Sequence, residues 1–210
     1  MIKYKFQVVE NFLDHQDFES LCNLNIDREI KTSTKVYQNT IKNNQMTFGS
    51  LDKDLIETLH KKYHDKAIDI LKKLSPDKVS LYDYSDFSII VTNKDCKFPF
   101  HDDTPNKLLS GVIYLYPEKN TGTIFSKNKK GDDKHVIDWK QNRGVFFSRK
   151  EKETWHSYEG DGENNRVVLV YNLNTYRIKD VYKIENKNYF IGNLRYKINP
   201  YIYQFFKTTI

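Results

Sequence analysis

Cysteine is scarce in this 210-residue sequence, with Cys22 and Cys96 the only two. Two thiols cannot build the disulfide framework of a small secreted scaffold, so the composition favours a reducing compartment. No apolar run approaches the ~20 residues a membrane-spanning helix needs. Met1-Ile2-Lys3-Tyr4-Lys5 has neither the apolar stretch nor the small-residue cleavage site of a secretory leader. The expected location is cytoplasmic, with no membrane partner. The net charge of +6 raises the question of nucleic acid, but no long basic run supports it. The lysines are scattered among aspartates and asparagines, and the tightest group, Lys127-Asn128-Lys129-Lys130, runs into Gly131-Asp132-Asp133 like a solvated loop tip. No internal repeat or linker divides the chain. We therefore expect one domain over 1–210, with an N-terminal strand and helices (1–78), a β core (79–176) and a C-terminal extension (177–210).

What is present points to β structure. Hydrophobic residues make up 38% of the chain and aromatics 14%, which argues against disorder. Lys5–Val9 reads as a short strand, followed by a helix capped by Asn11 or Asp14 and running toward Leu24. Asn25–Gly49 is polar and reads as loop, with a short strand near Val36-Tyr37. Leu51–Leu74 carries Leu55, Leu59, Tyr63, Ala67, Ile70, Leu71 and Leu74 at helical steps, and Ser75-Pro76-Asp77 ends it. From Val79 the pattern changes to short strands: Val79–Tyr84, Phe87–Thr92, Leu109–Tyr116, Thr121–Phe125, His135–Asp138, Gly144–Phe147 and Arg166–Leu173. Turn signals lie between many of them, a spacing that predicts a sandwich or jelly roll and excludes a βαβ sheet.

Chemistry gathers at Phe100-His101-Asp102-Asp103. A histidine and a carboxylate two apart in an extended segment share a face and can grip one ion. His156, brought in from a later strand, completes a two-histidine, one-carboxylate set that leaves positions open on the metal, the ligand type of non-haem Fe(II) oxygenases. The candidate ligands are His101, Asp103 and His156. His15-Gln16-Asp17 has the same spacing but sits at a helix start, where i and i+2 do not share a face. His60 and His64 are four apart on the long helix, but Lys61 and Lys62 lie between them, and we expect a solvated face. Asp102 is expected to brace a loop or to be solvated. Trp155 either lines a pocket mouth or fills core.

The order His101-x-Asp103, then His156, then Arg166 ten residues later resembles the 2-oxoglutarate/Fe(II) dioxygenases, and within them the prolyl-4-hydroxylase-like branch. Val8-Val9-Glu10-Asn11-Phe12-Leu13-Asp14 is similar to the opening of that branch, and the likeness extends over residues 5 to 175. It implies a mainly β protein with N-terminal helices, a double-stranded β-helix (jelly roll) with helices packed on one sheet. It also implies Fe(II), 2-oxoglutarate as cosubstrate, O2, and ascorbate as an optional reductant. By the same resemblance Arg166 binds the far carboxylate of 2-oxoglutarate, for which its planar fork is suited. Tyr114 holds the place of a cosubstrate-contacting tyrosine. Thr92 stands where relatives often have another tyrosine, and Asp95 where a glycine follows it. Val168 replaces a frequent serine. Asp103, in place of a glycine or alanine, argues for hydroxylation over halogenation.

Three functional classes remain open: a peptidyl hydroxylase acting on proline or another side chain, a hydroxylase of a small metabolite or nucleobase, and a non-enzymatic jelly-roll binding module. Alkylation-repair members of the family carry a second arginine six residues after the first, and this chain has Asn172 there. The intact ligand set speaks against the binding module. The segments Asn25–Gly49 and Ser126–Asp133 are candidate lids, which favours an extended peptide lying in an open groove. The aromatic tail (Tyr182, Tyr189, Phe190, Tyr196, Tyr201, Tyr203, Phe205 and Phe206) is expected to cover a sheet.

Overall fold

The computed structural model describes residues 6–194. The chain begins with β1 (Phe6–Val9), α1 (His15–Cys22), β2 (Thr34–Tyr37), β3 (Asn39–Lys42) and β4 (Gln45–Gly49). Then come α2 (Lys53–Leu74), a 3-10 turn (Pro76–Leu81), β5 (Tyr84–Thr92), β6 (Lys97–His101) and β7 (Lys107–Tyr116). The remainder is β8 (Ile124–Ser126), β9 (His135–Val136), β10 (Gly144–Phe147), β11 (Trp155–Glu159), β12 (Arg166–Asn174) and α3 (Ile178–Ile184). The large sheet runs β1-β10-β7-β12-β5-β3-β4, with β2 also paired to β5, and the small sheet runs β6-β11-β8-β9. Every pairing is antiparallel. The architecture is a jelly roll with its helices on the large sheet.

Alternation along the central strands explains how one sheet serves two layers. Successive side chains of a strand point to opposite faces. On β12, Val167, Leu169, Tyr171 and Leu173 join the core beneath the helices, while Arg166, Val168, Val170 and Asn172 line a cavity between the sheets. On β5, Phe87, Ile89 and Val91 belong to the helix-side core and Ile90 and Thr92 to the cavity. Both faces are covered, which is why these strands read as nearly continuous apolar runs. Burying one such leucine or isoleucine contributes about 1.5–3 kcal/mol. The helix-side face of β7 has no room at Gly111, where a Cβ would lie 2.4 Å from the Phe146 ring and 2.9 Å from the Tyr171 carbonyl oxygen.

The helices follow from local signals. Asp14 caps α1 by accepting from the Asp17 N–H at 3.2 Å, and Asp52 caps α2 by accepting from the Leu55 N–H at 2.8 Å. On α2, Ile56, Leu59, Tyr63, Ala67, Ile70 and Leu71 form the buried stripe. This stripe faces β1, β3, β4 and β10.

Several expectations are corrected. Val79–Tyr84 is not a strand: Pro76 opens a 3-10 turn there, and β5 begins at Tyr84. Asn25–Gly49 is not mainly loop, since β2, β3 and β4 take up much of it and are paired into the large sheet. His60 is not solvated but fully buried on the α2 stripe, with Nε2 3.0 Å from Ser85 Oγ, and His64 is half-buried beside it. The candidate ligand histidines do lie on strands, as expected, but β6 and β11 have bounds that the run of expected strands did not include. Trp155 is buried, its indole N–H donating to the Lys152 carbonyl at 3.0 Å, and it lies outside the cavity lining. In the aromatic tail Tyr182 is buried and Phe190 exposed, and Tyr196, Tyr201, Tyr203, Phe205 and Phe206 lie outside the described residues. No described helix is long and apolar enough to cross a membrane.

Candidate metal centre

Two neighbouring strands of the small sheet place the histidines. His101 ends β6, and its Cα is paired in register with that of His156 on β11. Each imidazole is oriented by its own main chain: His101 Nδ1 lies 3.0 Å from the Pro99 carbonyl and His156 Nδ1 3.0 Å from that of Thr154. An Nδ1–H donating to each carbonyl leaves Nε2 as the free lone pair, the arrangement of a metal-binding histidine. Asp103 comes just after β6, yet its carboxylate converges on the same point. One potential ligand atom from each of His101, Asp103 and His156 lies within 4.8 Å of the other two. Among the described residues this is the single group of three or more such side chains so arranged.

The electrostatics suit a cation. Burial pulls the pKa of both imidazoles down, which keeps them neutral and able to donate a lone pair at neutral pH. For Asp103 burial alone would raise the pKa, but the Lys107 ammonium, joined by the two histidines once they protonate at low pH, outweighs it and holds the carboxyl well below its usual range. Lys107 Nζ donates to Asp103 Oδ1 at 2.7 Å and Ser110 Oγ to Oδ2 at 2.5 Å.

The three side chains open into a cavity of about 360 Å³ whose walls come from both sheets. Arg166 lies in its lining, 7% exposed, with its guanidinium carbon 3.4 Å above the centre of the Tyr158 ring. Neither its Nε nor its Nη1 has a hydrogen-bond partner among the described residues. A guanidinium is always charged in a protein, and burying it unpaired is costly, so these donors are set for an anion. Thr92 lines the same cavity and is the direct cross-strand partner of Arg166. Tyr114 is fully buried and outside the lining. Its hydroxyl donates to Thr123 Oγ1 at 2.9 Å and accepts from the Thr123 N–H at 2.7 Å, and its ring stacks on Trp139. Thr123, which does line the cavity, therefore stands between Tyr114 and the space within.

Some residues that shape the centre were not anticipated. Tyr158 under Arg166, Lys107 and Ser110 on Asp103, and Thr123 before Tyr114 all escaped the sequence reading. The inward alternation of β7 and β11 was the available signal for Ser110 and Tyr158. Asp102 braces a loop, as one of its two expected roles, by accepting from the Lys152 N–H at 2.9 Å.

No protein-family model and no curated sequence matches this chain. Solved structures do. A prolyl-4-hydroxylase from Pseudomonas putida is similar with a TM-score of 0.56 at 12% identity, over 82% of this chain and 94% of that one. A 2OG-Fe(II) oxygenase family oxidoreductase from Burkholderia pseudomallei gives 0.55 at 15% identity, over 81% and 84%. HygX from Streptomyces hygroscopicus, with nickel, 2-oxoglutarate and hygromycin B bound, gives 0.53 at 9% identity, over 83% and 84%. The fold is that of the 2OG-Fe(II) oxygenases. At these identities the likeness establishes the fold, and the chemistry rests on the residues of this chain.

Proposed function

We propose that this protein is an Fe(II)- and 2-oxoglutarate-dependent dioxygenase that hydroxylates an unactivated C–H bond, with His101, Asp103 and His156 as metal ligands. The observation that carries the reading is the buried Arg166, whose Nε and Nη1 have no hydrogen-bond partner among the described residues, lining the same cavity as a two-histidine, one-carboxylate cluster. The residues fit both groups. Neutral imidazoles and one carboxylate suit Fe(II) with positions left open, and the orphaned guanidinium suits a carboxylate. When bound, iron and 2-oxoglutarate supply oxidising power from O2 as the cosubstrate is decarboxylated to succinate.

The chain's own contribution is placement and exclusion of water. The fork at Arg166 fixes the far end of the cosubstrate, with Thr92 beside it on β5. Val168 and Val170 on β12, Val112 on β7 and Phe147 on β10 give the cavity an apolar wall that keeps bulk water from the reacting carbon. Six residues after Arg166, roughly 20 Å along an extended strand, Asn172 lines the cavity with Oδ1 buried and without a partner among the described residues. Asn172 is the cross-strand partner of Ser110, which bonds Asp103, so it stands near the metal and offers a polar anchor to the substrate.

For the substrate we favour a single inserted side chain, such as a prolyl residue of a peptide. A compact metabolite is the second reading. A cavity near 360 Å³ is at the low end for ligand pockets, ~300–1,000 Å³, and the cosubstrate takes part of it. The second reading draws support from β2, whose Thr34 and Val36 line the cavity from a strand paired to β5, in a segment expected to be a lid. Succinate release from 2-oxoglutarate under Fe(II), O2 and ascorbate, assayed with proline-containing peptides and with free amino acids, tests both. Stimulation by one panel selects the substrate class. Binding of 2-oxoglutarate with no turnover on any panel would favour a binding module, and no metal-dependent binding at all would end the proposal.

A further inference from the structure

The two histidines are held by a strand ladder, but the aspartate is not. β6 ends at His101, and Asp103 lies outside every described strand. Its main-chain carbonyl finds a different partner: Arg149 Nε donates to it at 3.2 Å. Arg149 is almost fully buried and reaches in from the loop between β10 and β11. The same loop touches the other parts of the centre, since the Lys152 N–H donates to Asp102 Oδ2 and the Thr154 carbonyl accepts from His156 Nδ1.

Arg149 is itself anchored from the C-terminal extension. Its Nη1 donates to Glu185 Oε2 at 2.5 Å, just past the end of α3, and its guanidinium lies 5.4 Å above the centre of the Tyr182 ring. Glu185 also accepts from Lys78 Nζ at 2.8 Å and from the Glu151 N–H at 3.2 Å, while Lys78 donates in addition to the Arg149 carbonyl. The side chains of Lys78, Arg149 and Glu185 are only 2–4% exposed. Buried charges of this kind give little stability over well-packed apolar residues, so they call for a reason beyond stability. Among the three, Arg149 is the one that hydrogen-bonds a candidate ligand residue, Asp103.

We infer that Arg149 is a positioning residue for the metal-binding carboxylate of Asp103, with Glu185 holding it in register, so that the segment after the jelly roll sets the affinity of the metal site. The inference rests on the ligand assignment proposed above and adds to it a route by which α3 acts on the centre. Rotation of the peptide after Asp103 would swing its carboxylate away from the two histidines, and Arg149 fixes that peptide. Outer contacts of this kind typically alter metal affinity ~10–100-fold.

The test uses the full chain and Co(II), with affinity read by calorimetry, ligand geometry by the visible Co(II) absorbance, and folding by the melting temperature of metal-free protein. Arg149→Lys keeps a cation opposite Glu185 but loses the Nε–H. It is expected to melt near the wild type, to bind Co(II) about tenfold more weakly, and to show an altered Co(II) spectrum. Glu185→Gln, which leaves Arg149 in place without its anchor, is the second variant and should also weaken binding. Lys78→Met removes a charge from the same cluster without touching Asp103, and should lower the melting temperature while Co(II) affinity holds. Wild-type affinity and spectrum in both Arg149→Lys and Glu185→Gln would overturn the inference, as would an equal loss of affinity in Lys78→Met. Failure of the wild type to bind Co(II) at all would instead remove the ligand assignment on which it rests.

Discussion

His101 and His156 are direct register partners on β6 and β11, and their ring centroids lie 4.2 Å apart. Two imidazoles this close and tilted by 52°, each tied by Nδ1 to a main-chain carbonyl, are arranged before any ion arrives. Metal binding therefore needs little reordering of the histidines, and it should register mainly as a gain in stability. At a Co(II) concentration one hundred times its Kd the gain is expected to be about 2.7 kcal/mol. Thermal melts with and without Co(II) would measure it, and His156→Ala should show no shift. A shift of the same size in that variant would place the ion elsewhere.

Arg166 should govern cosubstrate and leave the metal alone. Arg166→Lys retains the charge but loses the fork, and a charge-assisted hydrogen bond is worth about 1.5–3 kcal/mol. The dissociation constant for 2-oxoglutarate, titrated against the Fe(II) charge-transfer absorbance, should rise by tenfold or more while Co(II) affinity is unchanged. Tyr158→Leu removes the ring beneath the guanidinium and should cost less, about 0.5–2 kcal/mol. Undiminished 2-oxoglutarate binding in Arg166→Ala would refute the role.

His60 makes stability depend on pH. Burial, and after it the neighbouring His64, lower its pKa from 6.5 to about 4. Ser85 Oγ contacts its ring at Nε2, and the Tyr171 ring lies 5.8 Å away, with no carboxylate among these neighbours. In this window the unfolded chain takes up a proton that the folded one refuses. Stability should therefore be full above about pH 6.5 and fall as the pH drops toward 4, by at most about 3 kcal/mol. Other buried histidines act in the same direction, so the measurement is the difference between wild type and His60→Gln in urea melts across that range. Identical slopes for the two proteins would contradict the assignment.

Asn39 ties the N-terminal strands to the rest. It is fully buried, donates from Nδ2 to the Phe87 carbonyl at 2.9 Å and the Tyr37 carbonyl at 3.2 Å, and accepts on Oδ1 from the N–H groups of Ser50 and Leu51. Asn39→Ala removes four hydrogen bonds to main-chain groups, the one to the Phe87 carbonyl fully buried, and about 3 kcal/mol of unfolding free energy should be lost. Urea denaturation would show it. A loss under about 0.5 kcal/mol, the usual range for surface substitutions, would mean that water takes over the amide's bonds.

The sequence was most readable where one residue type dominates a face. β5, β7, β12 and α2 stood out because their buried sides are nearly all apolar. β2 showed only as a short strand near Val36-Tyr37, and β3 and β4 did not show at all, since residues such as Asn39, Thr40 and Gln45 give them no clean alternation, and Asn39 replaces packing with hydrogen bonds. β6 was hidden by Pro99, a residue tolerated there because β6 is the edge strand of the small sheet. His60 could have been read as buried. It follows Ile56 by four and precedes Tyr63 by three, which puts it on the apolar stripe, but the flanking lysines obscured that. The cluster at the centre was legible from residue order alone, because metal ligation demands specific residue types. Its support at Arg149 was not, since no sequence spacing relates that residue to what it touches.

The pairing of Phe6 with Phe147 bears on how the chain reaches this state. β1 leaves the ribosome well before β10, its strand neighbour among the described residues, and β12 at the middle of the large sheet follows later still. Nearly every ladder in the sheets awaits a distant partner, and long-range pairing of this sort makes folding slow. Through that interval the apolar faces of β5 and β7 have no β12 between them. The growing chain is then most exposed to self-association just before Arg166–Asn174 arrives, and the same strand that closes the sheet delivers Arg166 to the cavity.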